Sequence, residues 1–232
     1  MLLHRAFIAS ARRHRGKLAL VDRTTDRRLT YGRALIGALV VRRWLRRISS
    51  AHVGILMPTS AGGALAIIGA LMAGRIPVMI NYSAGATENI AMARRRTGLR
   101  TVVTARTLLQ RLDIPEDADM LCMEDILAGT GKVARALAAV QSWLPRPLLE
   151  WTIHGGDPDD TAVLLFTSGS EAEPKAVELT HRSIGSNLEA VEAAYAAAHP
   201  NGVMLATLPL FHVFGFSTTL WLPLYLGQTV VT

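Results

Sequence analysis

Cysteine is nearly absent. Cys122 is the only one in 232 residues, so no disulfide can form within the chain, and a disulfide-stapled scaffold is excluded. That usage fits a reducing, cytoplasmic setting, and Arg12, Arg13 and Arg15 arrive before any apolar run long enough for a signal peptide. Aromatic residues are only 6% of the chain, and no nucleic-acid recognition motif accompanies them, so no nucleic-acid partner is expected. Metal-ligand spacing is missing too: the seven histidines form neither H-E-x-x-H nor a Cys/His cluster. No G-x-S-x-G elbow occurs, which argues against a hydrolase nucleophile. Residues 203–232 contain no Lys, Arg, Asp or Glu, yet Pro209, Gly215, Pro223 and Gly227 divide them into strand, loop, helix and strand. Residues 53–80 are interrupted by Pro58, Gly62, Gly63, Arg75 and Pro77, leaving less than the ~20 apolar residues a membrane span needs.

What is present is unevenly distributed. Half the residues are apolar, enough for a sizeable core. The first 50 residues carry 13 Lys and Arg against Asp22 and Asp26 alone, while the remainder is mildly acidic. Such a basic end is either a set of solvated helix faces or an attraction for anionic lipid or an acidic partner. The Arg42, Arg43, Arg46 and Arg47 cluster belongs to it. Lysine is rare beside 22 arginines: Lys17, Lys132 and Lys175 are the only ones.

The element pattern is alternating. A short basic helix is expected over 2–15, a strand at 18–22, and a helix capped by Thr30 running to about Ile48. Strands at 52–57, 76–80, 101–104 and 119–123 alternate with helices at 61–74, 86–97 and 105–112. After a linker at 151–160, which includes "HGGDPDD", a strand at 161–166 enters a loop and "KAVEL" leaves it. A helix over 181–197, a strand at 203–208, a helix over about 213–226 and a strand from 228 complete the chain. The expected fold class is α/β, a mostly parallel sheet with flanking helices, in a first portion 1–150 and a second portion 161–232. The segment 132–144 places Val133, Leu137, Val140 and Leu144 on one helical side, a face that either packs on the domain or meets a lipid interface.

The loop is the richest stretch. In "LLFTSGSEAEPKAVELTH" (164–181) an apolar run ends in Thr167, Ser168, Gly169 and Ser170, followed by Glu171, Ala172, Pro174 and Lys175. Hydroxyl donors, backbone N–H groups turned inward at glycine and one compact ammonium are the means of holding phosphate. The loop is not the G-x-x-x-x-G-K-[ST] type, because Pro174 precedes the lysine, Ala176 follows it, and the next segment reads as a strand.

This stretch resembles the phosphate-binding signature of the adenylate-forming acyl/aryl-CoA synthetase superfamily, roughly [YF]-T-S-G-[ST]-[TE]-G-x-P-K-G-V followed by a hydroxyl-His pair, here Thr180 and His181. "LPLFHVFG" (208–215) resembles the superfamily's next characteristic segment, and "LTYGRAL" and "IPVMINYSAG" are similar to its N-terminal region. "IPVMINYSAG" and Glu171 resemble most the acyl-[acyl-carrier-protein] synthetase / 2-acylglycerophosphoethanolamine acyltransferase branch.

The resemblance implies the N-terminal subdomain of a luciferase-like fold and a two-step reaction. A carboxylate, such as a fatty acid, attacks the α-phosphorus of ATP accompanied by Mg²⁺, and the thiol of acyl carrier protein or CoA then takes the acyl group. It implies that Thr167, Ser168, Gly169, Ser170, Glu171, Ala172 and Lys175 hold the nucleotide phosphates, with Lys175 catalytic. It implies further that His212 orients the acyl substrate, together with Phe211 and Gly215. Read alone, His212 among apolar neighbours is more simply a core histidine, and His181 a structural one.

Two departures accompany the match. Ala172 and Ala176 stand where the superfamily has glycine, which would restrict the backbone and add a methyl. The superfamily's Tyr-Gly-x-Thr-Glu segment, its ribose-binding Asp and its C-terminal domain with a catalytic lysine have no counterpart within these 232 residues. The expectation is therefore an N-terminal part that forms no acyl-adenylate alone, with the magnesium ligand outside it. The alternative is a truncated or decayed homologue acting as an interaction module at a carrier protein or a membrane surface, peripheral to its inner face.

Overall fold

The computed structural model describes residues 1–167, 174–195 and 201–232, and for 193–195 the backbone only. The chain begins with helix α1 (Leu3–Arg13), whose Leu3, Phe7, Ile8 and Ala11 are buried, followed by strands β1 (Leu18–Asp22) and β2 (Arg27–Thr30) and helix α2 (Tyr31–Leu45). Thr30 caps α2 as expected, its hydroxyl accepting the Arg33 N–H at 3.3 Å. β3 (His52–Ile55), α3 (Ala61–Met72), β4 (Ile76–Met79), α4 (Ala86–Thr97), β5 (Val102–Thr104), α5 (Arg106–Arg111) and β6 (Met120–Cys122) supply the alternation read from the sequence. Three helices follow: α6 (Met123–Gly129), α7 (Lys132–Gln141) and α8 (Arg146–Thr152). Then come β7 (Thr161–Thr167), β8 (Lys175–Thr180), α9 (His181–Tyr195) and β9 (Val203–Leu205). A π-helical stretch Gly215–Trp221 runs into α10 (Leu222–Leu226), and β10 (Thr229–Val231) comes last.

The strands form two sheets. Six are ordered β6-β5-β3-β4-β7-β8, all parallel except β8, which returns antiparallel to β7. Four are ordered β2-β1-β10-β9, with β1, β10 and β9 parallel and β2 antiparallel at the edge. Strands from before and after residues 151–160 share both sheets: Val78 pairs with Leu164, and Leu20 with Val230. Within that connecting stretch the His154 N–H donates to the Met72 carbonyl at 3.0 Å, tying it to the end of α3.

α2 and α3 pack closely at the centre. Gly69 makes this possible, because a Cβ there would lie 2.7 Å from Val41 Cγ1. Asp22, buried at the end of β1, accepts the N–H groups of Thr24 and Thr25 through one oxygen and that of Ala61 through the other, all at 3.1 Å. Its negative charge therefore sits at the N-terminus of α3, where the helix dipole favours it. Arg42 departs from the solvated cluster expected of it. It is buried, donates to the carbonyls of Met72 and Thr152, and burial pushes its pKa down to about 10. These contacts join α2 to the C-terminal ends of α3 and α8.

Candidate functional site

Because β3, β4 and β7 are parallel, their C-terminal residues Ile55, Met79 and Thr167 all point to the same end of the sheet. In open α/β sheets, ligands bind beyond that end. After β3, the Thr59 hydroxyl donates to the Leu208 carbonyl at 3.4 Å. After β4, Tyr82 meets Phe211 edge to face, with ring centroids 5.1 Å apart and an interplanar angle of 89°. These two contacts hold the segment Leu208–His212 against the strand ends.

Phe211 is buried, and the adjoining His212 ring, 4.7 Å from it, is exposed. This corrects the simpler reading of His212 as a core histidine. Its backbone is fixed from both sides: the N–H donates to the Pro209 carbonyl at 3.1 Å, and its own carbonyl accepts the Phe216 N–H at 2.8 Å. Gly215 sets the tightness of this turn. A Cβ there would lie 2.2 Å from the Pro209 carbonyl oxygen, so no side chain fits without moving backbone. The next turn widens into π geometry. The Thr218 and Thr219 hydroxyls donate to the carbonyls of Phe214 and Gly215, competing for the acceptors of an α-helical ladder. Such local widening recurs at functional sites.

The β7–β8 hairpin brings Thr167 and Lys175 face to face as its last register pair, both exposed. Among the described residues Lys175 makes no ion pair or hydrogen bond, and its side chain is exposed. Ser168, Gly169, Ser170, Glu171 and Ala172 lie outside the described residues. Ala176 corrects an expectation. It pairs with Phe166 in extended β8 and is not among the positive-φ residues, so alanine there carries no left-handed strain. Among the described residues, no hydrogen bond, ion pair or ring contact joins Phe211 or His212 to Thr167 or Lys175.

Further residues at this end were not singled out by the sequence. Tyr82 and Thr59 follow strands in segments with no motif of their own. Arg95 and Arg96, in the last turn of α4, line a groove of about 330 Å³ together with Pro174, just before Lys175. Helix-end arginines are common enough that spacing alone gives no sign of this approach.

His181 lies away from this chemistry. It is buried, and its Nδ1 accepts the Leu3 N–H at 3.2 Å, which leaves the proton on Nε2. His4 is buried beside it, ring centroids 5.6 Å apart, and its Nε2 donates to the His154 carbonyl at 3.1 Å. Burial first, then competition with the adjacent His181 ring for a proton, pushes His4 down to about 3, and burial pushes His181 down to about 4. Both rings are therefore neutral structural links between α1 and the β8–α9 junction, as the sequence suggested for His181. One possible metal cluster exists among the described residues: Glu116, Cys122 and Asp125, with ligand atoms within 4.8 Å of one another. Arg106 already bridges its two carboxylates, at 3.0 and 2.8 Å, supplying the countercharge a metal would bring. Among the described residues, no helix is long and apolar enough to cross a membrane.

The fold and this strand-end arrangement define an α/β domain of the adenylate-forming kind. The chain belongs to the AMP-binding enzyme family, whose model matches residues 7–232. It is 30% identical over 249 aligned positions to 4-coumarate–CoA ligase-like 4 of Oryza sativa subsp. japonica, covering 97% of this chain and 42% of that protein. It is 27% identical to 4-chlorobenzoate–CoA ligase of an Arthrobacter species, covering 89% of this chain and 38% of the relative. Among solved structures, the nonribosomal peptide synthetase FmoA3 in its AMPPNP-bound form superposes with a TM-score of 0.76 at 25% identity, over the whole of this chain and 22% of that one. The chain thus spans about two fifths of the length of the curated relatives it matches.

Proposed function

We propose that this chain is the N-terminal part of an ATP-dependent acyl-activating ligase. The observation that carries the reading is the register pair Thr167–Lys175 at the open end of the parallel strands, both exposed, with no ion pair to Lys175 among the described residues. In the first step a carboxylate oxygen bonds to the α-phosphorus of ATP and pyrophosphate leaves. In the second, a thiol sulfur bonds to the acyl carbon and AMP leaves. Lys175, the Thr167 hydroxyl and the Ser168, Gly169 and Ser170 segment would hold the phosphates, with Glu171 and Ala172 alongside. A fixed cation that meets charge as pyrophosphate departs stabilises the transition state more than the ground state. Magnesium, which shields the phosphates, would draw its protein ligand from outside this chain. His212, exposed beside buried Phe211 and held by the Gly215 turn, would orient the carboxylate.

The finer reading is a fatty acid as the acid and acyl carrier protein as the acceptor, with CoA as the rival thiol. It rests on the likeness of "IPVMINYSAG" and Glu171 to that branch. A second reading, an interaction module at a carrier protein or an anionic membrane surface, draws on the arginines of the first 50 residues and on the exposed apolar face of α7.

The test is Lys175→Ala in the full-length polypeptide, assayed by acid-dependent ATP–pyrophosphate exchange with fatty acids and hydroxycinnamates in parallel. Exchange should fall by about 2–4 kcal/mol in transition-state terms, with a smaller change in acid binding. An unaltered exchange rate would leave the hairpin mouth with no role in phosphate chemistry. Preference for hydroxycinnamates would reject the fatty-acid branch while keeping the ligase.

A further inference from the structure

The apolar side of α7 does not pack on the domain. Val133 is 75% exposed, Val140 64% and Trp143 68%, and on α8 Trp151 is 85% exposed. Leu144, the fourth residue of the expected face, does reach the core, so the packing alternative holds for that residue only. In α7 itself only Ala138 is buried. Exposed apolar side chains on two consecutive short helices, with Trp143 in the turn between them and Trp151 on the second, are not what a free aqueous surface favours.

Cations surround this area. The Arg15 guanidinium stands 3.6 Å from the centre of the Trp143 ring and donates to Ser142. Arg12 donates to the Leu144 carbonyl. Arg43 of α2, with Arg46 and Arg47 just beyond its end, lines a groove of about 510 Å³ whose other wall is Ala134 and Leu137 of α7. Between residues 132 and 152 the only acid is Glu150, and it lies 2.5 Å from Arg146. Other apolar side chains, Val203, Leu205 and Phe214, are also exposed, but residues 203–232 contain no charge to select a partner's sign.

We infer that α7 and α8 form an interfacial surface that seats on anionic lipid, with Trp143 and Trp151 entering the headgroup boundary and the α2 and α1 arginines facing the phosphates. Tryptophan suits that depth because its ring is apolar and its N–H is polar. Apolar burial and headgroup attraction then act on one patch, the combination that makes peripheral attachment stable. This assignment rests on the membrane part of the second reading above and is independent of the ligase chemistry.

The experiment uses the purified 232-residue chain and two kinds of vesicle, phosphatidylcholine alone and phosphatidylcholine mixed with phosphatidylglycerol. Flotation reports binding, and tryptophan emission with brominated-lipid quenching reports insertion. The wild type should float with the anionic vesicles only, with blue-shifted, quenched emission. Trp143→Ser with Trp151→Ser should weaken binding roughly tenfold or more, because it removes the two largest inserting groups. Arg43→Glu with Arg46→Glu, whose side chains are exposed, should abolish the preference for anionic lipid while the thermal melt stays in place. A tryptophan pair variant that melts like the wild type and still binds as tightly would overturn this surface and leave membrane attachment to another. No flotation of the wild type would overturn both. So would a patch that instead drives concentration-dependent self-association lost in the same variant.

Discussion

Helices α3 and α7 both carry Ala, Leu and β-branched residues, and these meet opposite fates, although α7 adds Lys132, Arg135 and Gln141 where α3 has no polar side chain. In α3, AGGALAIIGALM, every residue except Gly62 is buried; in α7, KVARALAAVQ, only Ala138 is. Hydropathy alone does not separate Leu65 or Ile67 from Leu137 or Val140. What separates them is the neighbour. α3 has glycine where α2 crosses it and strands on its other side, whereas α7 lies over α2 through one alanine and turns the rest outward. The arginines at the end of α2 and just after it repeat the lesson, since Arg42 is buried against two helix ends while Arg43 and Arg46 are exposed. Burial is a property of the packing partner, and a face without one is open to a partner from outside the fold.

The contrast breaks most readily at Gly69. Valine there would place its Cβ 2.7 Å from Val41 Cγ1 and 3.1 Å from the Ala38 carbonyl, forcing α2 and α3 apart. We expect Gly69→Val to cost about 3 kcal/mol, the upper part of the usual range for overpacking. Urea unfolding measures it, and a loss under about 1 kcal/mol would mean the helix pair is looser than these distances say.

A second prediction concerns α1, which packs against α2 and α3 and is tied by His4 and His181. Both imidazoles ionise at lower pH in the folded chain than their ordinary value of about 6.5. Below that value, and until about pH 4, the unfolded chain binds more protons than the folded one, so stability falls as pH falls. Between about pH 7 and about pH 5 the loss should be about 2–4 kcal/mol, with the two sites sharing it. His181→Asn, whose carbonyl can still accept the Leu3 N–H, should remove roughly half of that slope. A denaturant midpoint that is flat in pH, or a slope unchanged in the variant, would assign acid sensitivity elsewhere.

Much of this architecture was legible in the residues, and the misses share a cause. The run from His52 to Cys122 alternates sharply enough that strands and helices fall where periodicity and capping residues put them, α4 at both its ends. β2, α6 and α8 did not stand out. β2 is four residues of RRLT at a sheet edge, where no apolar alternation is required. α6 and α8 are seven residues each, too short for a helical period, and α8 starts where Pro147 suggests a connection. The second sheet escaped because β1 and β10 pair across most of the chain, a contact that no local pattern encodes. At the candidate site, the motif singled out Thr167, Lys175, Phe211, His212 and Gly215 by their types. Tyr82 was not singled out, because its contact with Phe211 depends on β4 and the Phe211 turn meeting at one end of the sheet.

The smallest expected effect is the sharpest test of the opening contrast. Leu137 and Val140 are 54% and 64% exposed, so little apolar area leaves water when the chain folds. Replacing both by glutamine removes no buried contact and exchanges one β-branched helix residue for a better helix former. Leu137→Gln with Val140→Gln should therefore change stability by less than about 0.5 kcal/mol, as surface substitutions do. The corresponding change in α3, Leu65→Gln or Ile67→Gln, would bury an amide and cost several times as much, on the order of 3 kcal/mol. Urea midpoints for the α7 double variant and for either α3 single variant supply the comparison directly. A loss above about 1 kcal/mol from the α7 pair would show that its apolar side is already covered, by the fold or by a second copy, and that it is not a free face at all.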